Sequence, residues 1–217
     1  MRAWILLGAA LAGLWTSTTL AEEEPVLRFG EVLRDAKGGF DLLGVGSKEG
    51  YGGGYAGDAF GKRQALADLS NIVFIDRKSG ASRLLLDKPA YIARLEPIER
   101  GAAGRLYLFS MALADSDQDG KIDERDQKLL YACKRDGSAY WPVTGLEAAP
   151  FWEIDAAEKD ERVYVKQRYP GKGSLSMSLP HDGKVYLLKD AGLKTAVEAV
   201  PGALQARLKA LQRSVKR

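Results

Sequence analysis

One cysteine and one histidine stand in a chain of 217 residues, and each scarcity removes a class of chemistry. A lone thiol cannot close an intrachain disulfide, so no covalent staple is available to the fold. Cys133 also lacks a CxxC partner or a neighbouring histidine, and within Leu129-Leu-Tyr-Ala-Cys133 it reads as a packed strand position. A single His181 excludes a histidine-rich zinc site, and without a G-x-S-x-G element it offers no Ser-His-Asp or Cys-His machine. Charge of one sign is lacking too. With 32 basic against 29 acidic residues the net charge is +3, too small to imply binding to nucleic acid. Beyond the first residues there is no long apolar run, so no transmembrane segment is expected.

The one sustained apolar run lies at the start. Arg2 precedes Ala3 to Trp15, and a polar stretch ends in Thr19-Leu20-Ala21 before Glu22-Glu23-Glu24. That order is the n-region, h-region and small-residue cleavage site of a secretory signal peptide, and the run is shorter than the ~20 residues a spanning helix needs. Residues 1–21 are therefore expected to be removed, with no cysteine at the cleavage site to carry a lipid. Residues 22–217 remain as a single β-rich domain, periplasmic or secreted.

Within that domain short apolar segments alternate with turn residues. Asn71-Ile-Val-Phe-Ile75 passes through Asp76 to Gly80 into Ser82-Arg-Leu-Leu-Leu86, and Leu129 to Cys133 passes through Asp136-Gly137 into Ala139-Tyr-Trp-Pro-Val143. Further strands are expected at Ile92 to Ile98, Leu106 to Ala114, Arg162 to Tyr169, Ser174 to Leu179 and Lys184 to Leu188, the last two joined by a turn at Pro180 to Gly183. The class is mainly β, an antiparallel meander arranged as a two-layer sheet or an incomplete propeller. The two hairpins resemble blade fragments of TolB-type β-propellers, in which a strand, an Asp-Gly turn and a second strand ending near Thr recur. From Pro201 the period changes: Leu204, Leu208, Leu211 and Val215 make one stripe of an α-helix over about 201–217. Its other residues include Arg207, Lys209, Arg213, Lys216 and Arg217. The stripe is expected to dock on the sheet, with weak contact to anionic lipid as the secondary role.

Two other features invite a function. Gly44 to Gly61 contains Gly52-x-Gly54-x-x-Gly57, but the polar Gly46-Ser-Lys-Glu-Gly50 precedes it where a dinucleotide fingerprint needs a buried strand, so it reads as a surface loop. Trp141, Trp152, Tyr140 and Phe151 could stack on a sugar or peptide, although such residues usually fill cores.

The strongest signal is Asp115 to Asp126, DSDQDGKIDERD. Carboxylates occupy loop positions 1, 3, 5, 9 and 12, with glycine at 6. A hard cation takes six to eight oxygens, and a single tight loop can supply them only when acidic residues recur at alternating positions. Asp115, Asp117 and Asp119 would give side-chain oxygens, Lys121 its backbone carbonyl, Asp123 a direct or water-mediated contact, and Asp126 the closing carboxylate. The loop resembles the EF-hand and, in its final Asp, the dockerin-type calcium repeat. Asp126 stands in place of the usual bidentate Glu, and Gln127 in place of an apolar residue on the exiting helix. Because the preceding segment reads as a strand, the loop is expected to join two strands, with a helical turn over Glu124 to Leu130. The function expected is that of an exported protein with structural Ca2+ and an unknown protein or glycan partner, a binding module of the cell envelope. An envelope hydrolase with carboxylate chemistry is the alternative. A dockerin-like adhesion module would call for a second such loop, which the sequence lacks.

Overall fold

The computed structural model describes residues 28–35, 39–46, 66–100, 104–156, 162–169 and 181–215. The segment 1–21 expected to be a signal peptide, most of the glycine-rich segment and the strand expected over 174–179 lie outside the described residues. The rest is an antiparallel β meander with one helix. One sheet contains β1 (Arg28–Arg34), β2 (Phe40–Gly46), β3 (Leu66–Asp76), β4 (Ser82–Leu84), β5 (Tyr91–Glu99), β6 (Arg105–Ala112), β7 (Leu129–Lys134) and β8 (Tyr140–Pro142). A second, four-stranded sheet contains β9 (Phe151–Ala156), β10 (Val163–Tyr169), β11 (His181–Leu188) and β12 (Ala196–Glu198). The large sheet does not close into a barrel among the described residues.

Strand β3 carries three neighbours, and it does so because it is 11 residues long. One edge pairs with β2; the other pairs with β5 at Leu66 to Leu69 and with β4 at Val73 to Ile75. Where β4 and β5 splay apart, Asn71 fills the gap: its Nδ2 donates to the Leu86 carbonyl at 2.8 Å and its Oδ1 accepts the Leu86 N–H at 3.2 Å. Backbone groups at the fork thus keep their partners.

The continuous apolar character of β6 and β7 has a direct cause. Tyr107, Phe109, Met111, Tyr131 and Cys133 face one core, with Leu42, Phe74 and Leu95. Leu106, Leu108, Leu130 and Ala132 face the other, with Trp152, Val163, Val165 and Leu188 of the second sheet. Both faces are buried, so period two disappears from the sequence. In β5 an extra residue at Ala93 shifts the pairing from Ile92 with Met111 to Arg94 with Ser110. That bulge puts Ile92 and Leu95, three apart, in the same core.

The two sheets are tied where Thr144 runs parallel to Thr195, its N–H donating to the Lys194 carbonyl at 2.8 Å and its carbonyl accepting the Ala196 N–H at 2.9 Å. Gly145 follows at φ 77°, and a Cβ there would stand 2.6 Å from the Ala196 carbonyl oxygen. Only glycine fits this joint.

Three expectations change. The turn placed at Pro180 to Gly183 is, from His181 onward, strand: His181 pairs with Tyr169 and Asp182 with Arg168. The helical turn over Glu124 to Leu130 is only a turn at Glu124 and Arg125, because β7 has begun by Leu129. Helix α1 (Gly202–Val215) forms where its period placed it, but it does not cover a sheet: Leu204 and Leu208 are 46% exposed and Leu211 55%. The reason lies in the second core, which the facing sides of the two sheets already fill. Cys133 and Trp152 are core residues, as expected, whereas Phe151 is exposed.

Candidate metal centre

The loop 115–126 connects β6 to β7 and so hangs from the two strands with the most burial. Its ends are pinned from inside. Asp126, wholly buried, accepts the Ser116 hydroxyl at 2.9 Å and the Ser116 N–H at 2.5 Å on one oxygen, and the Asp123 N–H at 2.8 Å on the other. Ser116 Oγ in turn accepts the Gln127 N–H at 2.8 Å. The first and last turns are therefore held together by a serine and an aspartate. Further in, Asp115 accepts the N–H of Asp119 at 3.2 Å and of Gly120 at 2.8 Å, while Asp117 accepts Asp119 at 3.3 Å. Gln118 at φ 63° and Gly120 at φ 86° make the bend.

These bonds divide the carboxylates into two sets. Asp115, Asp117 and Asp126 each place one oxygen within 4.8 Å of the others. An ion bound to oxygens at about 2.3–2.6 Å sits between oxygens up to about 5 Å apart, so this triad could hold a metal ion. Asp119 and Asp123 turn instead to Arg125, whose Nη2 lies 2.8 Å from one and 3.3 Å from the other. Lys121 is exposed and its N–H donates to Asp119 at 3.0 Å. Arg125, at loop position 11, supplies positive charge that the alternation of acids did not reveal.

Ionisation follows the same division. Partial desolvation raises the Asp117 carboxyl above its ordinary range, and the charges of Asp119 and Asp126 add to it against the N–H of Asp119 and Arg125. Asp126 goes the other way. Burial opposes its charge most strongly, but the N–H groups of Asp123 and Ser116 and the Ser116 hydroxyl together outweigh burial and lower it. A cation beside Asp117 would oppose the causes that raise it.

Behind the loop lies Lys128, a residue that no pattern singles out. It is buried, and its Nζ donates to the carbonyls of Glu124 and Asp126 at 2.7 Å and of Pro150 at 3.0 Å. The ammonium also lies 5.4 Å from the ring centroid of Tyr91 and 5.6 Å from that of Phe151. Three protons find three acceptors, which is what a buried ammonium needs. Burial depresses its pKa, while Asp126, Glu124 and Asp123 act to restore it. Trp152 Nε1 donates to the Lys128 carbonyl at 2.9 Å, and Lys128 pairs with Ala149 across the sheets. The exit of the loop is fixed to the second core.

No family model, curated protein or solved structure matches the chain. No helix among the described residues is long and apolar enough to cross a membrane.

Proposed function

We propose that the chain is an exported β-rich protein that binds one Ca2+ in the loop 115–126, where the ion stiffens a surface used to bind a protein or glycan of the cell envelope. What carries this reading is the approach of Asp115, Asp117 and Asp126 to a common centre on a loop anchored at both ends. Asp119, Asp123 and the Lys121 carbonyl would complete the shell once Arg125 is displaced. Calcium suits such a site better than magnesium because it accepts many oxygens in adaptable geometry and gives up water more readily. The role is structural: the loop lies between strands, and nothing in it is arranged to carry a reaction. For a hydrolase, a general acid held above the usual carboxylate range would be expected. Outside the loop, the described carboxylates with a resolved shift, Asp76, Asp136, Glu153 and Asp190, all move below that range.

Isothermal calorimetry of the purified protein should show one calcium site with a dissociation constant on the order of 10⁻⁴ M, and weaker or no heat with magnesium. At one millimolar calcium, such a site would add about 1.4 kcal/mol of stability and raise the melting temperature. The double variant Asp115→Asn/Asp117→Asn should lose both effects. Identical melting curves in calcium and in chelator, with no heat of binding at millimolar ion, would reduce the loop to an acidic turn.

A further inference from the structure

Helix α1 leaves β12 by way of Pro201 and is held near its start, where Gln205 Nε2 donates to the Glu198 carboxylate at 3.0 Å and to the Val200 carbonyl at 2.9 Å. Its leucines do not pack into either core. At 100° per residue, Leu204, Leu208, Leu211 and Val215 fall within about 60° of one another. Lys209 and Arg213 fall on the other side of the wheel, with Arg207 flanking the stripe. From Pro201 to Arg217 there is no acidic residue.

We infer that α1 is an interfacial helix that lies on an anionic lipid surface, its leucine stripe in the acyl boundary and its cations among the headgroups. A narrow apolar stripe, a basic polar face and low overall hydrophobicity are the combination that partitions to a bilayer surface without crossing it. Each cation near an anionic surface adds to the attraction, and the whole is screened by salt. A second copy of this chain fits the same face less well. Pairing two such helices along their leucines would bring Arg207 against its equivalent with no carboxylate in the segment to offset the repulsion. The inference does not depend on calcium, because the helix follows β12 of one sheet and the loop joins β6 to β7 of the other.

Vesicle flotation of the full chain tests this, comparing vesicles of phosphatidylcholine alone with vesicles containing about one third phosphatidylglycerol. The apolar N-terminal run is common to every variant, so the differences between variants report the helix. Wild type should bind the anionic vesicles more tightly, and Leu204→Glu/Leu208→Glu should weaken that binding at least tenfold while leaving the melting temperature unchanged. Arg207→Glu/Lys209→Glu should abolish the preference for phosphatidylglycerol. Three outcomes would overturn the proposal. One is equal binding by wild type and the leucine variant; another is a melting temperature that falls in the leucine variant, which would mean the stripe docks on the sheet. The third is a wild-type dimer in sedimentation equilibrium that the leucine variant dissociates.

Discussion

The turn from Asp76 to Gly80 and the loop from Asp115 to Asp126 are made with one device, yet Asp76 in the turn and Asp117 in the loop shift in opposite directions. In the turn, Asp76 accepts the N–H of Lys78 at 2.7 Å and of Ser79 at 3.1 Å, and those two bonds outweigh desolvation and hold the carboxyl below its usual range. In the loop, Asp115 and Asp117 do the same for Asp119 and Gly120, yet Asp117 is raised. Backbone donors suffice for one carboxylate. With five in twelve residues, neighbouring negative charge adds to desolvation at Asp117 and together they outweigh the N–H it accepts from Asp119. Arg125 meets part of that charge for Asp119 and Asp123, which leaves Asp115, Asp117 and Asp126 facing one another. The difference between turn and loop is one of crowding, and it can be broken residue by residue.

The largest effect is expected at Asp126, where the crowded loop meets the core. Asp126→Ala should remove the acceptor for the Ser116 hydroxyl and for two backbone N–H groups, and cost about 3 kcal/mol even in chelator. Calcium should then restore nothing. The pH dependence has a definite sign. The folded pKa of Asp126 lies below its unfolded value, so its contribution is fully present above the ordinary carboxylate range and is lost as pH falls through the lowered folded value. Acid denaturation followed by circular dichroism should show that loss in wild type and a flatter profile in Asp126→Ala. An Asp126→Ala protein as stable as wild type in chelator would mean that the anchor lies elsewhere.

How much of this was legible depends on whether a residue acts through its neighbours in sequence or across the fold. The spacing of the loop acids is local, and so the loop, the strands on either side and the helical period at Leu204, Leu208 and Leu211 could all be read directly. Strands β6 and β7 were legible as buried because Leu106 to Ala112 is apolar at every position but Arg105 before it and Ser110 within it. Arg125 and Lys128 were not, since a cation among acids reads as a solvated neighbour until its partners are known. Lys128 is defined by Pro150, 22 residues away, and by the rings of Tyr91 and Phe151. The exposure of the leucines of α1 was missed for the converse reason: an apolar stripe shows that a face seeks cover, and what covers it is set by how the two sheets fill their shared core. The strand at His181 to Gly183 was hidden by residues that usually turn, overridden by pairing with β10.

Arg125 offers a smaller perturbation that sharpens the division of the loop into two sets. Asp123 is the chief cause that holds the Arg125 guanidinium in its charged form, with Asp119 adding to it. A cation that recruits these two carboxylates must compete with that pairing. Arg125→Gln should therefore bind calcium more tightly, by roughly two- to fivefold, as befits a solvent-exposed ion pair, and the gain should shrink at high salt. Calorimetry in low and high salt checks both. Weaker binding in Arg125→Gln would show that the arginine organises the site and does not compete with the ion.

The smallest effect belongs to the isolated turn, and it is the control on which the comparison rests. Asp76→Ala removes the acceptor for the Lys78 and Ser79 N–H groups, but both lie in an exposed turn where water can replace it. The backbone bonds from Gly80 N–H to the Asp76 carbonyl and from Asp76 N–H to the Ala81 carbonyl, each 2.8 Å, remain to close the hairpin. The melting temperature should fall less than in Asp126→Ala, and the increment produced by calcium should equal that of wild type. A loss of the calcium increment in Asp76→Ala would mean that the ion acts through the whole β3–β4 hairpin, and the contrast between one carboxylate and five would no longer explain where the ion acts.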